Sequence, residues 1–200
     1  MTRKIKAYLL LLAANLALLP GLPLPLRAAG LFAVLLAPGV LVSLRISGDQ
    51  SRESSLALGV LLGFAWCLLF FAVGALSGNA VGAMAWIIIS NAFSVIILNR
   101  RRDAASCHSG TDFAFILILL LACLLRFWNL GYSEFQGDET RALLFASGLT
   151  QGDSALFFLH KKGPVEFLFP YGVLEALGAI DEFSARLPFA LAGLTLVAVI

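Results

Sequence analysis

The sequence predicts an all-α protein, specifically a polytopic transmembrane helical bundle with short interfacial helices in an extracytoplasmic loop. Of its 200 residues, 60% are hydrophobic and 13% are charged, whereas a soluble domain usually contains about 25% charged residues. The apolar residues form long unbroken runs without the period of two that is typical of strands. Such runs indicate membrane helices, because a helix satisfies its own backbone hydrogen bonds inside a bilayer.

Five apolar runs come before the first strongly polar segment. They cover residues 7–19, 28–44, 55–76, 80–98 and 113–128. The first run is short and lies between the basic segment TRKIK and the proline-rich segment PGLPLPLR, so it could also be a secretory signal. With the first run counted as a span, we expect residues 1–128 to form five transmembrane spans joined by short loops.

The placement of Lys and Arg predicts the orientation of these spans, because basic residues favour the cytoplasmic side. With the N-terminus in the cytoplasm, the inner side contains eight basic residues and the outer side six. The segment NRRRD at residues 99–103 is the densest cytoplasmic anchor. This orientation predicts an integral protein of the cell (inner) membrane with residues 129–184 on its outer face.

Residues 129–184 differ from the rest of the chain because they combine apolar with charged side chains. The stretch FQGDETRALLFASG predicts a helix of about ten residues, with Asp138 as N-cap, Glu139 near the positive helix start and Gly148 as its end. A helix of that length with an apolar face is expected to lie in the membrane interface.

A second interfacial helix is expected in HKKGPVEFLFPYGVLEALGAI. Pro164 suits a first helical turn, and Pro170 should disrupt the interior. Residues 185–200 then begin a further span, and because no polar flank ends it, the chain is expected to continue past Ile200.

Several short motifs follow one another in order between residues 124 and 200. They are RFWNLG, GDETRALLFASG, QGDS, KKGP and LGAIDEFSARLPFALAG. This arrangement resembles the start of the polytopic glycosyltransferases of the GT-C fold, and it is most similar to the protein O-mannosyltransferases and the lipid A aminoarabinose transferases. Members of that family move a sugar from a polyprenyl-phosphate carrier to an acceptor on the non-cytoplasmic side. Their motif usually follows the first span, whereas here four additional spans precede it.

The resemblance also implies roles for individual residues. Asp138 matches the catalytic aspartate, and Glu139 completes the acidic pair. Arg141 matches an arginine near the carrier phosphate, and Lys162 matches a lysine that contacts the same phosphate. Lys161 lies beside it and is assigned to the donor phosphate as well. No cofactor is identifiable, and the two histidines of the chain are predicted on opposite sides of the membrane, so they cannot form a metal cluster.

The residue types fit this chemistry independently of the resemblance. A carboxylate can take a proton from the acceptor hydroxyl or amine, and positive charge stabilises a leaving phosphate at a water-poor membrane face. Arg binds phosphate with a planar fork, whereas Lys acts as a point charge. On a helix Asp138 and Arg141 are three residues apart and share a face, so both could border one pocket, while Glu139 could instead orient the helix or the acceptor.

Structural roles remain open for each of these residues. Asp138 could serve only as a helix cap, Arg141 could pair with Glu139 or with lipid headgroups, and the two lysines could anchor the interface. Arg126 and Arg186 are expected to fix the ends of spans.

The expected function is therefore a membrane glycosyltransferase that uses a polyprenyl-phosphate-linked sugar donor and a lipid, glycan or protein acceptor. The alternative is a transporter or flippase of a lipid-linked precursor. Charged residues inside the spans would favour transport, and the five predicted spans are nearly free of them. The net charge of +2 is too small to indicate nucleic acid as a partner.

Overall fold

The computed structural model describes residues 3–46, 52–79, 82–100, 113–159 and 163–199. Within these ranges the regular structure is helical and no strand is found, so the all-α prediction is confirmed. The helices are α1 (Arg3–Leu16), α2 (Leu24–Ile46), α3 (Arg52–Leu76), α4 (Ala83–Asn99), α5 (Phe113–Phe127), α6 (Gly137–Thr150), α7 (Leu156–Leu159), α8 (Val165–Leu177) and α9 (Glu182–Val199).

The five predicted apolar runs correspond to helices α1 to α5. Among α2 to α5, helix α2 differs most from its predicted start. It begins at Leu24, whereas the predicted run begins at residue 28. Proline has no backbone N–H, but the N–H groups of a first helical turn have no partner within the helix. Pro25 is therefore compatible with the earlier start. The hydropathy pattern did not predict this turn because it contains Pro25 and Arg27.

Among the described residues, two segments are long and apolar enough to cross a membrane, Leu24–Ile46 and Ser55–Leu76. Ala83–Asn99 and Ile116–Phe127 are also apolar but shorter than the ~20 residues that a span needs. The structure therefore supports association of this helical protein with a membrane.

Helices α2 and α3 pack closely because small residues lie at their contact. A Cβ atom at Gly63 would lie 2.8 Å from the carbonyl oxygen of Leu36, and one at Gly59 would lie 2.7 Å from the Cα of Val40. The Ser43 hydroxyl donates a hydrogen bond to a carbonyl oxygen of α3, that of Ser55, at 2.5 Å. Small residues allow the backbones of membrane helices to approach in this way, so α2 and α3 form a tight antiparallel hairpin.

Helix α8 lies in the core of the molecule. The Phe169 ring is buried and contacts the rings of Phe32, Phe64 and Phe71, with centroid distances of 6.2, 5.6 and 6.0 Å. Pro170 is also buried and lies inside the continuous helix, so the prediction that it disrupts the segment is wrong. The packing of the aromatic side chains against α2 and α3 outweighs the local preference of proline for a helix start.

The bounds of α6 also differ from those predicted from the sequence. The N-cap is Gln136 rather than Asp138, and the helix continues through Gly148 to Thr150. The start is set by Glu139, whose carboxylate accepts a hydrogen bond from the backbone N–H of Gln136 at 3.2 Å, as in a capping box. The C-terminus is extended because a side chain from outside the helix satisfies its last carbonyl groups.

That side chain is Asn79, which follows α3. Its amide nitrogen donates to the carbonyl oxygens of Leu149 at 3.1 Å and Thr150 at 2.8 Å. Its amide oxygen accepts a hydrogen bond from the hydroxyl of Tyr171 at 2.6 Å. Asn79 therefore joins the end of α3 to α6 and α8.

The apolar face of α6 is covered by protein. Ala142, Ala146 and Leu149 are buried, and the ring of Phe145 stacks on that of Phe167 in α8 at 5.8 Å. The interfacial interpretation of α6 attributed this face to contact with lipid, whereas the structure shows it against α8.

Side-chain contacts divide the helix ends into two groups. At one end, where Asn79 and α6 also lie, Arg27 donates to the carbonyl oxygen of Leu177 at 3.3 Å. At the other end Arg45 donates to the carbonyl oxygen of Arg100 at 2.6 Å, and Tyr8 donates to Asn99 at 2.8 Å. The segment between α5 and α9 thus lies where α2 begins and α3 ends.

We expect Gly63→Val to destabilise the protein by about 1–3 kcal/mol, because the new side chain meets the backbone of α2, which cannot move aside cheaply. The matched control is the neighbouring Leu62, whose side chain is 39% exposed. Leu62→Val should change stability by less than about 0.5 kcal/mol. Unfolding by SDS, followed by circular dichroism in mixed micelles, measures both, and equal losses for the two variants would contradict the close contact.

Candidate functional site

An open depression with a volume of about 580 Å³ lies at the start of α6. Its lining residues come from the N-cap and first turn of α6 and from the first turns of α9, and they are Gln136, Gly137, Asp138, Glu139 and Arg186. The depression therefore contains both members of the acidic pair that the sequence singled out, together with one arginine from another helix.

Arg186 binds Glu139 with two parallel hydrogen bonds. Its Nε donates to Oε1 of Glu139 at 2.8 Å, and its Nη2 donates to Oε2 at 2.7 Å. This is the bidentate fork that makes arginine–carboxylate pairs strong and directional. The pair joins α9 to the start of α6.

The same guanidinium also holds the linker between α5 and α6. Its Nη1 donates to the carbonyl oxygens of Leu130 at 3.2 Å and Ser133 at 3.1 Å, and its Nη2 approaches the carbonyl oxygen of Glu134 at 3.4 Å. The ring of Phe135 lies 5.9 Å from the guanidinium carbon, within the range of a cation–π contact. Arg186 thus fixes the linker and the helix start together.

These contacts set the protonation state of Glu139. The hydrogen bond from Arg186 lowers the pKa of this carboxyl; partial burial acts in the opposite direction, and the backbone N–H of Gln136 adds to the lowering. The carboxylate is therefore ionised at neutral pH, and each of its oxygens already accepts a hydrogen bond. This arrangement suits a positioning group better than a proton acceptor in a reaction.

Asp138 and Arg141 lie in different surroundings. Asp138 is exposed and lines the depression, whereas Arg141 is exposed but is not among its lining residues. Because successive helical residues are turned by about 100°, Arg141 lies about 60° around the helix from Asp138 and nearly opposite Glu139. Arg141 is outside the lining of this depression, and a substrate pocket bordered by both Asp138 and Arg141 stays a prediction.

The alternative pairing of Arg141 with Glu139 is wrong, since Arg186 takes that place. Within the part of the chain that the structure describes, Arg141 forms neither a hydrogen bond nor an ion pair. Lys161 and Lys162, the other predicted phosphate ligands, lie outside the described residues.

Arg186 is the site residue that the sequence analysis did not find, because it was assigned to the end of a span. Its partner Glu139 is 47 positions earlier in the chain, so no local pattern connects them. The available signal was a charge inside the apolar stretch FSARLPFALAG, since a charge in such a stretch usually has a partner.

No three His, Cys, Asp or Glu side chains of the described ranges are grouped so that they could hold a metal ion. Comparisons with known protein families, with curated proteins and with solved structures found no match to this chain.

We expect Glu139→Gln to lower the free energy of unfolding by about 1 kcal/mol at pH 7. The pair is partly exposed, with 39% of the Glu139 side chain accessible, so solvent screens it and the value stays near the surface range. Because the folded-state pKa is lowered, the contribution is complete above about pH 4.3, the ordinary glutamate value, and is lost as pH falls through the lowered pKa.

Thermal or chemical unfolding in detergent between pH 3 and pH 8 measures this difference. The matched control is Glu134→Gln, since Glu134 is an exposed carboxylate of the same segment. A Glu139→Gln difference that persists undiminished at pH 3 would contradict the ion pair as its source.

Proposed function

We propose that this protein is a membrane glycosyltransferase that moves a sugar from a polyprenyl-phosphate donor to an acceptor on the non-cytoplasmic side. The observation that carries the proposal is the division of the acidic pair. Arg186 occupies both oxygens of Glu139, whereas the neighbouring Asp138 is exposed and lines the open depression. A solvent-exposed carboxylate that lines an open depression can take a proton from an acceptor bound there.

In this proposal Asp138 takes the proton from the acceptor hydroxyl or amine as the acceptor attacks the sugar carbon. Glu139 keeps the first turn of α6 in place, so that Asp138 is oriented before the substrates bind. Arg141, Lys161 and Lys162 contact the donor phosphate and stabilise its charge as it leaves. The fixed C-terminus of α6, held by Asn79, supports the same orientation from the other end.

We further propose that α4, α5 and α9 complete a multi-pass bundle around α2 and α3 in the cell membrane. At 1.5 Å per residue, the 17 residues of α4 extend about 25 Å, slightly less than the ~30 Å hydrocarbon core. The division of helix ends by Arg27 and Asn79 on one side and Arg45 on the other fits alternating spans. Helix α4 contains no charged residue, and the one arginine of α5 is in its last turn, which favours a surface enzyme over a transporter.

We expect a cysteine at Gly137 to react with an impermeant thiol reagent from outside the cell. Gly137 is exposed and lines the depression, which the proposal assigns to the outer face. Ile46 is 73% exposed at the opposite end of α2, so Ile46→Cys should react only after permeabilisation. Both are made in a variant without native cysteines, and the reverse labelling pattern would overturn the orientation.

We expect Asp138→Asn to lower sugar transfer by about 10²- to 10⁴-fold, the usual effect of losing a general base. Because Asp138 is inside the first turn rather than at the N-cap, its loss should cost only about 0.3–1 kcal/mol of helix-dipole stabilisation. Transfer is measured with the full-length enzyme in membranes, together with expression and thermal stability.

Glu134→Gln serves again as the control and should leave transfer within twofold of the wild type. If Asp138→Asn retains near-normal turnover in a folded protein, Asp138 is not the base. If Glu139→Gln lowers sugar transfer only as far as its loss of stability lowers the amount of folded protein, the result agrees with a positioning role for Glu139.

A further inference from the structure

Arg126 lies in the groove between α5 and α9. It belongs to the last turn of α5 and is half-buried. Its side chain crosses α9 at Gly193, where an added Cβ atom would lie 2.7 Å from Nε and 3.6 Å from Cζ of Arg126. The guanidinium therefore occupies space that any other residue at position 193 would fill.

Arg126 contacts α9 at Gly193, about two helical turns beyond Arg186, which lines the depression. Gly193 follows Arg186 by seven positions, which puts both on one helix face and separates them by about 10 Å along the axis. Arg126 thus contacts α9 on the same face that carries Arg186.

No described residue neutralises the charge of Arg126. Within the described ranges, no residue accepts a hydrogen bond from its guanidinium and none forms an ion pair with it. A charged side chain among apolar helices is costly unless an anion accompanies it. Arginine is particularly suited to phosphate, which it binds with a planar bidentate fork.

We propose that Arg126, held against Gly193 in the groove between α5 and α9, binds the phosphate group of a membrane lipid. The inference rests on the proposed function insofar as that lipid is the sugar donor, because a donor entering from the bilayer along this groove would meet Arg126 below Asp138.

The direct test is binding of farnesyl phosphate to the purified chain in detergent, measured by microscale thermophoresis. Farnesol is the uncharged control ligand, and short-chain phosphatidylglycerol represents a bilayer phospholipid.

Farnesyl phosphate should bind wild type more tightly than farnesol does. Arg126→Gln should weaken its binding by about 10- to 100-fold, the effect of losing a charge-assisted contact, and leave farnesol binding unchanged. Arg126→Lys should lie between the two because it keeps the charge without the fork.

A second variant tests the geometry without removing the charge. Gly193→Val should displace the guanidinium and weaken farnesyl phosphate binding, while the matched control Ala192→Val, at an exposed neighbouring position, should not. Thermal stability is recorded for each protein, and if Arg126→Gln does not fold, Arg126→Lys and Gly193→Val decide the question.

The ligand series identifies the source of the phosphate. Preference for farnesyl phosphate over phosphatidylglycerol by tenfold or more supports an isoprenyl phosphate ligand, and equal binding that depends on Arg126 supports a phospholipid. Binding of both phosphate lipids within twofold of wild type in folded Arg126→Gln would overturn the proposal. Normal sugar transfer by Asp138→Asn would instead remove the proposed catalytic role and leave the lipid-binding result intact.

Discussion

The ion pair between Arg186 and Glu139 is the contact on which the arrangement of the candidate site depends. Arginine carries five N–H donors in a fixed plane, and here they are directed at a carboxylate of α6 and at carbonyl oxygens of the preceding linker. Because one rigid group holds both elements, the first turns of α9 determine where α6 begins. Removing Glu139 would also remove the acceptor for the N–H of Gln136, so the helix start and the ion pair form one unit.

The other end of α6 is fixed by residues that precede the acidic motif in the chain. Asn79 caps the helix and is itself held by the hydroxyl of Tyr171. Burial, together with the nearby charge of Glu175, raises the pKa of Tyr171, so the hydroxyl keeps the proton that it donates. The helices before α5 therefore do more than anchor the chain, because the loop after α3 contacts the helix that carries Asp138.

The aromatic core explains why α8 is a stable helix despite its internal proline. Phe169 contacts three other rings of the core at nearly perpendicular or tilted angles, which is a favourable geometry for aromatic pairs. Trp86 is also fully buried and lies 6.0 Å from the ring of Tyr171. This packing fixes α8 between α3 and α6, and the position of α8 in turn covers the apolar face of α6.

The sequence by itself determined the helical class and the approximate bounds of α1 to α5, because long apolar runs are a local property and a helix satisfies its backbone within the run. It also singled out Asp138 and Glu139, since a carboxylate pair is conspicuous in so apolar a chain. Only the tertiary structure decided that the N-cap of α6 is Gln136, that Glu139 is bound by Arg186, and that Asn79 caps the other end of α6. The reason is distance along the chain: the Arg186 contact joins residues 47 positions apart and the Asn79 cap joins residues 70 apart, whereas capping and hydropathy rules consider only neighbouring residues.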